Sequence, residues 1–166
     1  MRFLGREARG DGRIYLVGGA SAVIVGWRDT TIDVDLKLDP EPPGIFEAIA
    51  RAKNALNINL ELASPDDFMP ALPDWHARSV FVARHGAVDF LHYDFYAQAL
   101  AKIERGHAQD LGDVEAMSRL NLIEPERLLC LFEAIEADLV RYPAIDSSHF
   151  RNQVENVISA IGTGKS

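Results

Sequence analysis

The chain is poor in several things at once. It holds a single cysteine, Cys130, in 166 residues, which excludes an internal disulfide and any cysteine-based zinc cluster. In the run Leu128-Leu129-Cys130-Leu131-Phe132 this thiol reads as a small core residue. Basic residues are in deficit, with 17 Lys and Arg against 25 Asp and Glu and a formal net charge of -8. That balance argues against broad, sequence-independent nucleic-acid binding, which depends on neutralising phosphates. Long apolar runs are missing too. The longest, Ile14 to Trp27, is broken by Gly18, Gly19, Ser21 and Gly26 and falls short of the ~20 residues a bilayer crossing needs, so no membrane partner is expected. The segment Met1 to Arg6 is basic without an apolar core behind it, so it does not read as a signal peptide, and a cytoplasmic location is the expectation. The five histidines show no metal-ligand spacing.

What is present is the composition of an ordinary globular domain, 48% hydrophobic and 25% charged, long enough to build a core without staples. Residues 1 to 12 read as a short helix or a loose arm. Arg13 to Val17 reads as a buried strand entering a glycine turn, with a helix over Ala20 to Trp27. In Thr31 to Leu38 strict alternation puts Ile32, Val34, Leu36 and Leu38 on one face and Asp33, Asp35 and Lys37 on the other. An amphipathic helix is expected over Ile45 to Leu56, a strand over Asn57 to Leu62, an ordered loop with a turn of helix over 64 to 76, and a hairpin over Ser79 to Arg84 and Ala87 to Tyr93. Four helical segments follow: Phe95 to Glu104, Leu111 to Leu120, Pro125 to Arg141 and Ser148 to Ile161. The expected architecture is α/β of the α+β kind: a small mixed sheet with flanking helices in residues 1 to 93, a helical region over 94 to 161 packed on it, and a frayed tail over 162 to 166.

The unit that carries chemistry is Val17-Gly18-Gly19-Ala20-Ser21 followed by Asp33-Val34-Asp35, with 13 residues between Gly19 and Asp33. A glycine pair between strand and helix lets the backbone approach a ligand closely, and the helix start offers amide hydrogens to phosphate oxygens. Carboxylates at i and i+2 of a strand point the same way and can share divalent cations. A third carboxylate on a neighbouring strand would complete a two-metal site. Glu61 is preferred, because its strand follows that of Asp33 through one helix; Asp89 is the alternative.

Glycine pair, Asp-x-Asp and later acid, in this order and spacing, resemble the nucleotidyltransferase superfamily of the polymerase-beta type. More narrowly, Gly26 to Asp35, Leu62 to Phe68 and Tyr93 to Val114 look like a bacterial family of nucleotidyltransferase-like proteins of unknown function, similar to the abortive-infection and toxin-antitoxin nucleotidyltransferases. This likeness covers residues 13 to 161. It implies a nucleotidyltransferase-type fold and transfer of a nucleoside monophosphate from a nucleoside triphosphate to an RNA, protein or small-molecule acceptor. It implies that Gly18, Gly19 and Ser21 hold the phosphates and that Asp33, Asp35 and Glu61 bind two Mg²⁺ or Mn²⁺ ions, Glu61 alternatively activating the acceptor hydroxyl. The stretch Lys102 to Asp113 resembles a later motif of the toxin-type relatives, which implies Lys102 on phosphate and Asp110 on substrate or on Lys102 itself. The competing readings are an N-cap at Asp110 with Lys102 and Asp113 as surface charges, and Arg28 either on phosphate or bracing its loop. The contrasting function is a catalytically silent nucleotide-binding or interaction module, one half of a toxin-antitoxin-like pair with a protein partner.

Overall fold

A computed structural model describes residues 1–163. Residues 164–166 of the expected frayed tail lie outside the described residues, whereas Gly162 and Thr163 belong to the last helix. The chain divides into two compact units, one of Met1–Ser64 with Arg78–Tyr93 and one of Pro65–Ala77 with the residues from Asp94 onward.

The first unit is a five-stranded mixed sheet in the order β3-β2-β1-β5-β4. Its elements are α1 (Arg2–Glu7), β1 (Gly12–Val17), α2 (Gly19–Val25), β2 (Asp33–Leu38), α3 (Ile45–Leu56), β3 (Asn59–Leu62), β4 (Val80–His85) and β5 (Val88–His92). The hairpin β4–β5 turns at Gly86, whose φ of 62° suits glycine. A single helix, α3, carries the chain from β2 to β3, which lie parallel and adjacent. Strand β1 pairs antiparallel with β2 and parallel with β5.

One face of the sheet is apolar. Ile14, Leu16, Leu36, Leu60, Val88 and Phe90 pack with Leu4 of α1, Ala20 of α2 and Ile45, Ala48, Ile49 and Ala52 of α3. The spacing of the α3 residues is the i, i+3, i+4, i+7 stripe of an amphipathic helix. The opposite face carries Arg13, Tyr15, Val17, Asp33, Asp35, Lys37, Asn59, Glu61, Asp89 and Leu91, the other half of the two-residue strand period. Of the sequence-derived boundaries that shift, two lie beside the acidic residues. Strand β2 starts at Asp33, leaving Ile32 71% exposed in front of it rather than in the core row. Strand β3 starts at Asn59 because Asn57 closes α3 in the left-handed region, φ 50°, a conformation asparagine tolerates.

The second unit is helical: α4 (Trp75–Arg78), α5 (Phe95–Arg105), α6 (Ala108–Arg119), α7 (Pro125–Glu136), a 3-10 segment over Ala137–Arg141 and α8 (Ser147–Thr163). Asp94 caps α5 by accepting the Tyr96 N–H at 3.0 Å. Gly106 ends it in the left-handed conformation, and α6 begins two residues later. Phe132 of α7 meets Phe150 of α8 edge to face, centroids 4.9 Å apart. Arg151 of α8 forks onto Glu136, its Nε donating to Oε1 at 2.6 Å.

Two expectations are corrected here. Cys130 is exposed, not core: the buried stripe of α7 is Leu128, Leu131, Phe132 and Ile135, and position 130 falls off it. Asp110 is not an N-cap, because α6 starts at Ala108 with His107 in the capping position, which places Asp110 inside the first turn. Among the described residues no helix is long and apolar enough to cross a membrane.

Candidate active site

The glycine turn lies hard against β2. Gly18 adopts φ 59°, ψ -124°, a region that side chains strongly disfavour. A Cβ on Gly18 would come within 3.3 Å of Asp35 Oδ2, and one on Gly19 within 2.5 Å of Thr31 Oγ1 and 3.2 Å of the Asp33 carbonyl oxygen. Gly18 is therefore required by its conformation, with a tight approach to Asp35, and Gly19 by its contact with Thr31. Thr31 secures the entry to β2, its hydroxyl donating to the Asp33 carbonyl at 2.9 Å. Arg28 lies half-buried in the loop before it, its backbone N–H donating to Ala22 at 3.3 Å.

The acids line up by register. Val17, Asp35 and Glu61 occupy one row across β1, β2 and β3, and Asp33 stands opposite Asn59 in the next. Asp33 and Glu61 are exposed and Asp35 is half-buried. The amide of Asn59 lies between two of them, Nδ2 donating to Asp33 Oδ1 at 3.2 Å and to Glu61 Oε1 at 3.0 Å. Among the described residues no three acidic, histidine or cysteine side chains converge closely enough, as they stand, to hold a metal ion. The donor set is nonetheless all oxygen, which suits a hard divalent cation, and Asp33 and Glu61 are exposed side chains able to swing. Asp89, the alternative third acid, stands in register with Arg13 of β1. Arg84 Nη1 pairs with it at 3.1 Å, so it is already matched to a cation.

Ser21 is fully buried. Its hydroxyl donates to the Leu16 carbonyl at 3.0 Å, and His92 Nδ1 lies 2.8 Å from its Oγ. Burial lowers the His92 pKa, which keeps the ring neutral.

The remaining two sequence-derived residues belong to the helical unit. Lys102 is 4% exposed. Its Nζ donates to Asp113 Oδ2 at 2.7 Å and to Asp110 Oδ1 at 3.2 Å. Arg105 forks onto Asp110, Nε to Oδ2 at 3.0 Å and Nη2 to Oδ1 at 2.8 Å. Burial by itself would raise the Asp110 pKa, but the Arg105 hydrogen bonds and the charges of Lys102 and Arg105 outweigh it and hold the carboxyl at about 2. The cluster falls on the buried stripe of α6, where Asp110, Asp113, Val114 and Met117 repeat at i, i+3, i+4, i+7.

Sequence reasoning passed over two residues that the structure brings forward. Asn59 had a readable signal, since alternation in Asn59-Leu60-Glu61 puts it on the face of Glu61. His92 had none, because its partner is 71 residues away.

No curated protein and no solved structure matches this chain. A family model does, over residues 5–161, spanning the glycine turn, Asp33-x-Asp35, Glu61 and the Lys102 cluster. The chain belongs to that family, described as nucleotidyltransferase of unknown function (DUF6036).

Proposed function

We propose that this protein transfers a nucleoside monophosphate from a nucleoside triphosphate to an acceptor hydroxyl on an RNA, a protein or a small molecule. The observation that carries this reading is the register Val17–Asp35–Glu61 beside a glycine turn in which no Cβ fits. The half-buried glycine backbone lies beside strands that carry Asp33, Asp35 and Glu61, an arrangement that suits a triphosphate with its cations. Family membership supports the reaction class.

In this reading Gly18 and Gly19 receive the phosphates through their backbone, and Arg28 neutralises them from the loop before β2. Ser21 stays structural, since its one hydroxyl hydrogen is committed to Leu16. Asp33, Asp35 and Glu61 hold the divalent cations, Mg²⁺ or Mn²⁺. When bound, such ions stabilise charge on the attacking and leaving oxygens. The acceptor oxygen forms a bond to the α-phosphorus as the bond to the β-phosphate oxygen breaks, and pyrophosphate leaves. The acceptor's proton leaves to water, or to Glu61 in the alternative in which that carboxylate does not bind the cations. Lys102 and Asp110, engaged with each other and with Asp113 and Arg105, brace α5 on α6.

The test follows thermal stability of the protein with each of the four nucleoside triphosphates, with and without Mg²⁺, in wild type and in the double variant Asp33→Asn/Asp35→Asn. Stabilisation by a nucleotide that needs Mg²⁺ and is lost in the double variant is the expected result. Absence of any nucleotide response in folded wild type sinks the reading and turns the search to a protein partner.

A further inference from the structure

His92 takes no part in the carboxylate row, yet it is shut inside the sheet unit at 6% exposure. Hydrogen counting at Ser21 points to what it does there. The Ser21 hydroxyl has one hydrogen and gives it to the Leu16 carbonyl, which can only accept. With that hydrogen given to Leu16, Oγ is left to accept from the imidazole 2.8 Å away, which is the arrangement that puts the ring hydrogen on Nδ1. The same Leu16 carbonyl accepts the Tyr93 backbone N–H at 3.0 Å, so its two lone pairs are shared between a sheet bond and the hydroxyl. The end of β1, the start of α2 and the end of β5 meet at this one buried junction, with the glycine turn held between the first two.

The turn needs such an anchor. A glycine is the residue least able to hold itself at φ 59°, ψ -124°, because it has the most alternatives open to it. With several conformations equally open to glycine, the surroundings must select this one. Leu16 fixes the entry to the turn and Ser21 the exit. His92 fixes Ser21.

We propose that His92 is the positioning residue of the glycine turn: by donating from Nδ1 to Ser21 it locks the hydroxyl onto Leu16 and keeps Gly18 and Gly19 against Asp35 and Asp33, where nucleotide phosphate is received. The second half of this statement rests on the nucleotidyl-transfer reading; the first half does not. Removing the donor leaves a buried oxygen lone pair without its partner and frees the hydroxyl to rotate.

Two measurements test it. The first uses the wild type without ligand: long-range proton–nitrogen NMR correlation of the His92 ring. The hydrogen is expected on Nδ1, and an Nε2–H tautomer overturns the proposal whether or not a nucleotide binds. The second uses the four nucleoside triphosphates with Mg²⁺. His92→Asn keeps an N–H near the Nδ1 position and is expected to bind the nucleotide within about threefold of wild type, whereas His92→Leu should bind roughly tenfold more weakly, the size of one lost buried hydrogen bond. If His92→Leu does not fold, the double variant His92→Leu/Ser21→Ala removes both polar partners together, a change that is often nearly neutral for stability, and the same weakening is expected of it. Wild-type affinity in the leucine variant, or equal loss in the asparagine variant, overturns the proposal. Failure of the wild type to bind any of the four nucleotides removes the transfer reading instead and leaves the tautomer to decide the junction.

Discussion

The molecule treats its carboxylates in two opposite ways. In the helical unit, Asp110 and Asp113 are 8% and 4% exposed and are matched by Lys102 and Arg105. On the sheet, Asp33 and Glu61 are exposed, and among the described residues their side chains share one neutral partner, the Asn59 amide. The first arrangement is forced, because a buried charge without a counter-charge costs several kcal/mol. The second is a choice the solvent permits and the fold does not require. Like charges directly across neighbouring strands repel, and Asp35 stands in that relation to Glu61. A cluster that completes its own electrostatics explains architecture, whereas the exposed Asp33 and Glu61 are the side chains on which the proposed cation is tested.

The largest expected effect breaks the complete cluster. Lys102→Met leaves Asp113 and Asp110 buried around an apolar stem and should lower stability by about 3–5 kcal/mol, the usual cost of removing one partner from a buried pair. Urea unfolding measures it. Asp33→Asn, made on the other side of the comparison, should be neutral or slightly stabilising in metal-free buffer because it relieves repulsion. A loss at Asp33→Asn as large as that at Lys102→Met would erase the distinction between the two regions.

Divalent metal sharpens the distinction from the ligand's side. If the sheet carboxylates await a cation, Mn²⁺ or Mg²⁺ at a hundred times its dissociation constant should stabilise the wild type by about 2.7 kcal/mol, read as a rise in melting temperature. Asp33→Asn/Glu61→Gln should lose most of that rise. Asp110→Asn should keep it, although the variant is less stable at the start. A response that vanishes in Asp110→Asn and survives in Asp33→Asn/Glu61→Gln would place the metal in the wrong unit.

Why one region was readable from sequence and the other was not follows from how each is built. The sheet site is local in its signals: Gly18-Gly19 punctuates a strand, and the alternation of Asp33-Val34-Asp35 and Leu60-Glu61-Leu62 assigns faces by the two-residue period alone. The adjacency of β2 and β3 follows from a single intervening helix. What alternation cannot give is where a strand stops, and so Ile32 and Asn57 were placed inside strands that they precede. The Lys102 cluster inverts the usual rule that charge marks the solvated side of a helix. Lys102, Asp110 and Asp113 sit on buried stripes, and their mutual neutralisation is visible only once α5 and α6 lie together. Cys130 failed for the complementary reason: an unbroken apolar run hides the 3.6-residue period, and one member of the run must face outward. The His92–Ser21 contact depends on β5 returning beside β1, a long-range fact that no spacing encodes.

Acid separates the two regions by pH. The Asp110 pKa is lowered from 3.8 to about 2, so the folded state binds this proton less readily than the unfolded chain does. Its contribution to stability is complete above about pH 4, near the unfolded carboxyl value, and is lost as pH falls from there through about 2. Stability measured between pH 5 and pH 2 should fall less steeply in Asp110→Asn than in wild type. Identical slopes would mean that the Arg105 fork does not hold the charge in solution.

The smallest effect probes the one neutral group between the sheet carboxylates. Asn59 donates to Asp33 and Glu61 from a single nitrogen, both bonds exposed, so Asn59→Ala should cost only about 0.5–1 kcal/mol in metal-free buffer. The amide stands where positive charge is wanted, and a bound cation makes it redundant. The deficit of Asn59→Ala should therefore shrink in saturating Mn²⁺, and its melting temperature should rise more on metal addition than that of wild type. Asn59→Asp adds a further carboxylate to the row and should start lower and respond more strongly again. Parallel metal titrations of the three proteins by differential scanning fluorimetry give the order: aspartate above alanine above asparagine. Equal responses in all three would show that Asn59 and the cation do not compete for the same carboxylates, and the exposed Asp33 and Glu61 would then need another explanation.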